Sequence, residues 1–303
     1  MSPADRALLA LPLSWAIGAD AYLALLDIGV QTRCCDGPSL DHIRDFAPTV
    51  VIDTVSDALR FAHLVARDQV DLAECAVRLV VVTGDPGGSL PVTRRAIEDR
   101  WGAACLDVYA LTELGPVGWG CPSRGDGLHL NDALLHFEVL DPESDGPVPP
   151  GELGELVVTT PRDWASPLAK FRTGDLVRLA RSACSCGGEL LADGGVVGRV
   201  RERMLVRGRL LLPSTIEQVV RRHPAVVDFR LRTYLVHGEC EILVLVEPSE
   251  AIASEGDRAR VAAEVSEDLR RSLGMRLYCD LLAPGSTASD QDAGRRARRL
   301  TRQ

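Results

Sequence analysis

Along the first hundred residues, short runs of β-branched side chains alternate with segments whose apolar positions recur at helical spacing. Residues 47–54 (APTVVIDT) and 77–84 (VRLVVVTG) read as strands buried on both faces. Residues 19–29 (ADAYLALLDIG), 56–68 and 92–102 read as helices, with Gly29 and Gly102 placed as helix stops. This β-α-β-α order predicts an α/β layer architecture. The GDPGGS segment, residues 84–89, follows a strand and precedes a helix, where such architectures place ligand loops. After residue 109 glycine, proline and turn residues become frequent. Residues 134–160 read as two strands about a proline-rich loop, and residues 176–200 as a strand, a cysteine knuckle and a further strand. Beyond Arg201 the pattern is a helix (212–226), two strands (226–248) and an amphipathic helix (258–274). The expected organisation is an α/β large domain over residues 1–200, with the knuckle inside 121–186, and a small α+β C-terminal domain over residues 201–303.

Composition narrows the function classes. With 303 residues, 46% of them hydrophobic, the chain can bury a substantial core. It holds no run of roughly 18 uninterrupted apolar residues, which argues against a membrane span. Thirty-four basic against 43 acidic residues leave a net charge of −9, which argues against a dedicated nucleic-acid protein. The basic tail, residues 294–303 (GRRARRLTRQ), reads as a solvated, partly mobile terminus; nucleic-acid contact through it would demand a steep salt dependence. The nine cysteines are an odd number and no export signal is evident. A reducing cytoplasm is the expected setting, where clustered cysteines more often mean a metal than a disulfide. Lys170 is the only lysine, so a mechanism that needs a lysine amine has one candidate.

Four ordered stretches carry a family resemblance. Tyr109-Ala110-Leu111-Thr112-Glu113 is similar to a Tyr-Gly-x-Thr/Ser-Glu motif, and Phe171-Arg172-Thr173-Gly174-Asp175 to Tyr-Arg-Thr-Gly-Asp. Gly198-Arg199 through Arg207-Gly208, followed by Pro213 and Ile216-Glu217, resembles a hinge and small-domain motif, and GDPGGS with the helix after it matches the loop before the first stretch. In this order they resemble the adenylate-forming ligase superfamily, most closely its phenylacetate–CoA ligase-like branch. The resemblance implies an AMP-forming acid–thiol ligase that makes an acyl-adenylate from ATP and passes the acyl group to CoA or a carrier protein. It implies catalytic roles for Thr112 (hydroxyl to a phosphate), Glu113 (an oxygen ligand for Mg²⁺) and Arg295. Nucleotide contacts are implied for Gly84, Asp85, Pro86, Tyr109, Asp175, Arg199, Arg207 and Gly208, with Asp175 suited to ribose hydroxyls. Out of context, Asp175 reads as a Thr-Gly-Asp turn and Glu113 as an exposed loop carboxylate; the ordered set of motifs reverses that reading. The acid is expected to be an aryl or small organic acid, in a pocket walled by Trp15, Gly18 and residues 115–119.

Cys121, His129, Cys184 and Cys186 would make a closed tetrahedral zinc set. Spacing alone also admits four unrelated residues, three small buried hydrophobes and a surface histidine. The resemblance favours structural zinc, since relatives carry such residues at matching places.

The sequence also departs from the pattern. The match begins beyond the Ser/Thr/Gly-rich phosphate loop, so the large domain is expected to be incomplete. Arg295 stands where a late lysine is usual, a swap that changes the chemistry, and Arg201 stands at the hinge. Three expectations follow: an active AMP-forming acid–thiol ligase, a specialised relative performing only acyl transfer or drawing on a partner chain for the phosphate loop, and a non-catalytic binding protein. A homodimer or partner chain is expected to cover apolar surface left exposed.

Overall fold

The computed structural model describes residues 1–67, 70–121, 123–249, 252, 254–284, 286–287 and 300–302. The chain divides into two compact units, Met1–Val200 and Arg201–Gln303. In the first, β1 (Arg6–Leu9), α1 (Ala16–Ile28), β2 (Gln31–Cys34), α2 (Leu40–Phe46), β3 (Val50–Asp53), α3 (Val55–Arg67), β4 (Leu79–Thr83), α4 (Pro91–Trp101) and β5 (Ala104–Leu111) alternate. Antiparallel strands follow: β6 (Gly115–Gly120), β7 (Leu128–Leu130), β8 (His136–Leu140), β9 (Leu153–Thr159), β10 (Phe171–Arg181), β11 (Leu190–Ala192) and β12 (Gly198–Arg199).

One sheet runs β2-β1-β3-β4-β5-β6-β7-β11-β10-β9-β8, with β12 paired to β10. From β2 to β5 neighbouring strands are parallel, and beyond β5 they are antiparallel. Alternation along the parallel strands separates two cores. Leu8, Val51, Val80 and Val82 pack with Ile43, Leu59, Ile97 and Trp101 from α2, α3 and α4. Ala7, Leu9, Val50, Ile52 and Val81 pack on the other face with Leu25 of α1. Both faces are covered, which is why Val50–Ile52 of β3 and Leu79–Val82 of β4 are unbroken apolar runs. A third core, built on Val117, Leu128, Leu156, Val158 and Val177, underlies the antiparallel part.

Helix ends follow local chemistry. Gly29 closes α1 and Gly102 closes α4, each in the left-handed conformation that glycine adopts without strain. The Ser39 side chain accepts from His42 N at the start of α2. Helix α1 is apolar nearly all round, and Leu23 and Leu26 on it face outward.

The second unit contains the hairpin β13 (Met204–Val206)–β14 (Arg209–Leu211), α5 (Pro213–Val220), β15 (Val226–Val236), β16 (Glu239–Pro248), α6 (Glu255–Leu273), β17 (Tyr278–Leu281) and β18 (Leu300–Arg302). Four strands form a sheet in the order β17-β16-β15-β18. Ile216, Val219, Val261, Val265 and Leu269 from α5 and α6 close over Phe229, Leu231, Ile242 and Val244. The expectation of a solvated C-terminal tail is corrected for residues 300–302. Their backbone pairs in parallel with Leu231–Thr233, covering the middle of β15 on that side. No helix among the described residues is long and apolar enough to cross a membrane.

Trp101 is the largest fully buried side chain; its ring lies 5.5 Å from Phe61, and its Nε1 donates to Ala58 O at 3.0 Å. Trp101→Ala is expected to cost about 3–5 kcal/mol, read as a lowered urea midpoint at an unchanged slope.

Candidate functional site

The loops after β1, β3, β4 and β5 all leave the same edge of the sheet, because these strands are parallel. In the order β2-β1-β3-β4-β5 the strand sequence reverses beside β1, and ligands of open α/β sheets bind outside the carboxyl ends near such a point. Trp15 and Thr54 from two of these loops flank Gly84: a Cβ there would stand 3.9 Å from Trp15 Cζ3 and 4.0 Å from Thr54 Cγ2.

Residues 84–89 are held by carboxylates. Asp85 accepts from Val55 N (2.7 Å), Ser56 N (3.1 Å) and Ser56 Oγ (2.7 Å), placing an anion on the first amides of α3. Its side chain is thus an anchor, and the backbone of Gly84, Asp85 and Pro86 forms the loop surface. Farther along, Ser89 Oγ donates to Asp107 Oδ2 at 2.6 Å. A Cβ at Gly88 would meet Asp107 Cγ at 2.6 Å, so only glycine lets the loop lie this close to β5. Burial and the nearby Asp85 charge push the Asp107 carboxyl up to about 7.

Tyr109, near the end of β5, reaches across to β10, where its hydroxyl donates to Asp175 Oδ2 at 2.7 Å. The other oxygen, Oδ1, lies 3.1 Å from Arg199 Nε, and the Asp175 side chain is 2% exposed. Asp175 and Arg199 are register partners on β10 and β12. Burial and the Asp175 charge both raise the Tyr109 phenol, so it stays a protonated donor. Thr112 and Glu113 occupy the exposed turn between β5 and β6. The first unit therefore carries Gly84, Asp85, Pro86, Tyr109, Thr112, Glu113, Asp175 and Arg199, with Tyr109, Asp175 and Arg199 in mutual contact through the carboxylate. Arg207 and Gly208 form the β13–β14 turn of the second unit, where Arg207 Nη2 pairs with Glu241 Oε1 at 2.7 Å. Arg295 lies outside the described residues.

Cys121, His129, Cys184 and Cys186 bring one ligand atom each within 4.8 Å of one another. Cys121 follows β6, His129 lies on β7, and the other two occupy the loop between β10 and β11. The Cys121 and Cys184 sulfurs are 3.4 Å apart, and all three cysteines are free thiols. His129 is 1% exposed, yet neither ring nitrogen has a hydrogen-bond partner among the described residues. A buried imidazole left so is costly unless something else binds it. The backbone amide of Cys186 and the Cys121 side chain hold the Cys184 thiol down to about 6, favouring thiolate. A Cβ at Gly188 would meet His129 Nδ1 at 2.7 Å, so the knuckle can close over the ring only with glycine there. Three sulfurs and an orphaned imidazole fit a tetrahedral zinc ion by donor chemistry.

Sequence reasoning missed Ser89, Asp107 and Glu155. Asp107 stood two positions before Tyr109, and Glu155 stood in the GELGELVV strand; each acts through partners distant in sequence.

No family model matches the chain. Over 253 residues it is 29% identical to the phenylacetate–coenzyme A ligase of Pseudomonas putida, covering 80% of this chain and 56% of that protein. Over 240 residues it is 30% identical to the phenylacetate–coenzyme A ligase of Thermus thermophilus, covering 78% of this chain and 50% of that protein. The chain spans about half the length of the curated relatives it matches. Among solved structures, 2-hydroxyisobutyryl-CoA ligase in the postadenylation state, in complex with R3-HIB-AMP, superposes with a TM-score of 0.88 at 22% identity. That match covers 100% of this chain and 66% of that one.

The raised Asp107 carboxyl has a pH signature. A carboxyl at about 7 when folded and near 3.8 when unfolded binds more protons in the folded state between those values. Its contribution to stability is therefore lost as pH rises from about 4 to about 7. Asp107→Asn is expected to flatten that part of the profile and to gain on the wild type at pH 8, as read by urea unfolding across pH.

Proposed function

Because this chain belongs to the adenylate-forming ligase superfamily, on its phenylacetate–CoA ligase-like branch, we propose that its first unit binds the adenylate of a small organic acid in AMP-forming acid–thiol ligation. The observation that carries this reading is the buried Asp175 carboxylate between Arg199 and Tyr109, the latter near the carboxyl end of parallel strand β5.

In the reaction proposed, a substrate carboxylate oxygen attacks the α-phosphorus of ATP and pyrophosphate leaves. A thiolate of CoA or a carrier protein then attacks the acyl carbon and AMP leaves. Asp175 accepts from ribose hydroxyls, a role suited to a carboxylate already fixed by the Tyr109 hydroxyl and an ion pair to Arg199. The Tyr109 ring offers a face for adenine, and its protonated hydroxyl keeps the carboxylate aimed. The backbone of residues 84–86 meets the edge of the base. Thr112 gives its hydroxyl to a phosphate oxygen. Glu113, exposed in its turn, would hold Mg²⁺, which supplies charge neutralisation on the phosphates. Trp15 and the small residues around Gly115 suit a flat acid.

Cys121, His129, Cys184 and Cys186 would hold a zinc ion as a structural brace, joining the strand after the Thr112–Glu113 turn to the strand that carries Asp175. With four protein ligands present, no position is left for an activated water.

Titration calorimetry with AMP and aryl-adenylate analogues tests the nucleotide site. Asp175→Ala is expected to weaken adenylate binding at least tenfold, about 1.4 kcal/mol. A wild type that binds none of them overturns the reading. Elemental analysis of the purified chain is expected to give one zinc per molecule, lost in His129→Ala and Cys184→Ser, with a lower Tm after chelation. A metal-free chain with an unchanged Tm under chelator overturns the zinc assignment.

A further inference from the structure

Strand β10 is irregular where it meets β9. Arg172 pairs with Val157 and Leu176 with Glu155, so Thr173, Gly174 and Asp175 stand opposite the single residue Leu156. Two extra residues must be accommodated, and they push the Asp175 carboxylate out of the regular ladder. Gly174, at φ 74°, turns the chain inside this bulge. The polar groups so displaced need new partners. Thr173 meets part of the need: its hydroxyl donates to Leu156 O at 2.8 Å and accepts from Asp175 N at 3.1 Å.

The remainder falls to one side chain. Glu155 is 5% exposed. Its Oε1 accepts from Gly174 N at 3.0 Å, and its Oε2 accepts from Arg172 Nε at 2.9 Å and from Arg172 Nη2. One carboxylate therefore grips the bulge at its start, through a guanidinium fork, and at its centre, through a backbone amide. Asp145 takes the opposite side of the same guanidinium. A salt bridge to Arg172 alone would leave Glu155 no reason to face Gly174. The amide contact ties it to the residue immediately before Asp175.

We propose that Glu155 is the positioning residue that sets the Asp175 carboxylate for ribose hydroxyls, a role that rests on the nucleotide reading of Asp175 given above. The carboxylate of Glu155 touches no ligand; it fixes the Arg172–Asp175 turn so that Asp175 arrives with its oxygens aimed.

The test compares AMP with 2′,3′-dideoxy-AMP by titration calorimetry, since their affinity ratio reports ribose-hydroxyl recognition and not general integrity. The wild type is expected to favour AMP by at least tenfold. In Glu155→Ala that ratio is expected to fall towards one, and Glu155→Gln, which keeps an acceptor for Gly174 N–H, is expected to recover part of it. Should Glu155→Ala fail to fold because Arg172 loses one of its two carboxylate partners, Glu155→Ala combined with Arg172→Ala removes both charges and leaves the Gly174 amide without its acceptor. The double variant is expected to fold with the ratio still collapsed. A wild-type ratio retained in a folded Glu155→Ala or double variant overturns the role of Glu155 alone. A wild type that binds neither nucleotide, or both equally, overturns the reading of Asp175 and this role with it.

Discussion

A carboxylate withdrawn from water must be met by donors, and Asp175 is the point at which this chain accepts that demand. With a side chain 2% exposed, it is matched by a phenolic hydroxyl from β5 and a guanidinium from β12. Stability is a poor account of such a set: exchanging a whole buried charged group for apolar residues is often neutral, whereas removing one partner costs about 3–5 kcal/mol. What the network secures is position. Burial and that charge raise the Tyr109 phenol, so its hydroxyl remains a donor to the carboxylate, and the antiparallel strands β9, β10 and β12 must come together in one register.

The parallel half of the sheet supplies the complementary constraint. Side chains alternate between two cores, so β1, β3 and β4 cannot slip by one residue without exchanging their buried faces. Their carboxyl-end loops therefore leave from fixed heights. Two further carboxylates, Asp85 on the α3 amides and Asp107 on Ser89, convert that regularity into one course for residues 84–89. Acidic side chains here work as internal fasteners for backbone, which fits a chain that carries 43 of them.

Legibility in the sequence followed burial. Strands β3 and β4 stood out because both faces are apolar, and α1 and α4 because a glycine in the left-handed conformation ends each. Edge strand β2, with Gln31, Thr32 and Arg33 largely solvated, has no such pattern. Strand β5 mixes Asp107 and Tyr109 with apolar residues because one end serves the core and the other the site. The motifs around Tyr109 and Asp175 were visible as words, and the structure brings those two residues into contact. Glu155 was not visible, because its role arises from a two-residue register shift that no local spacing encodes. The pairing of Leu300–Arg302 with β15 was hidden for a related reason: parallel pairing at a sheet edge uses backbone groups, and a basic composition neither announces nor forbids it.

The cysteine–histidine cluster also bears on the chain before it folds. Cys121 and Cys184 lie 63 positions apart, and their sulfurs meet at 3.4 Å. Any group that bridges them closes a long loop, which removes about 4 kcal/mol worth of freedom from the unfolded ensemble by the chain-entropy relation. The segment enclosed holds β7 to β10, and closing it brings β7 towards β11, whose pairing of His129 with Leu191 has the longest sequence separation in the antiparallel half and is slow to form unaided. An early bridge would shorten that search, so the cluster's influence extends to the order in which the strands assemble.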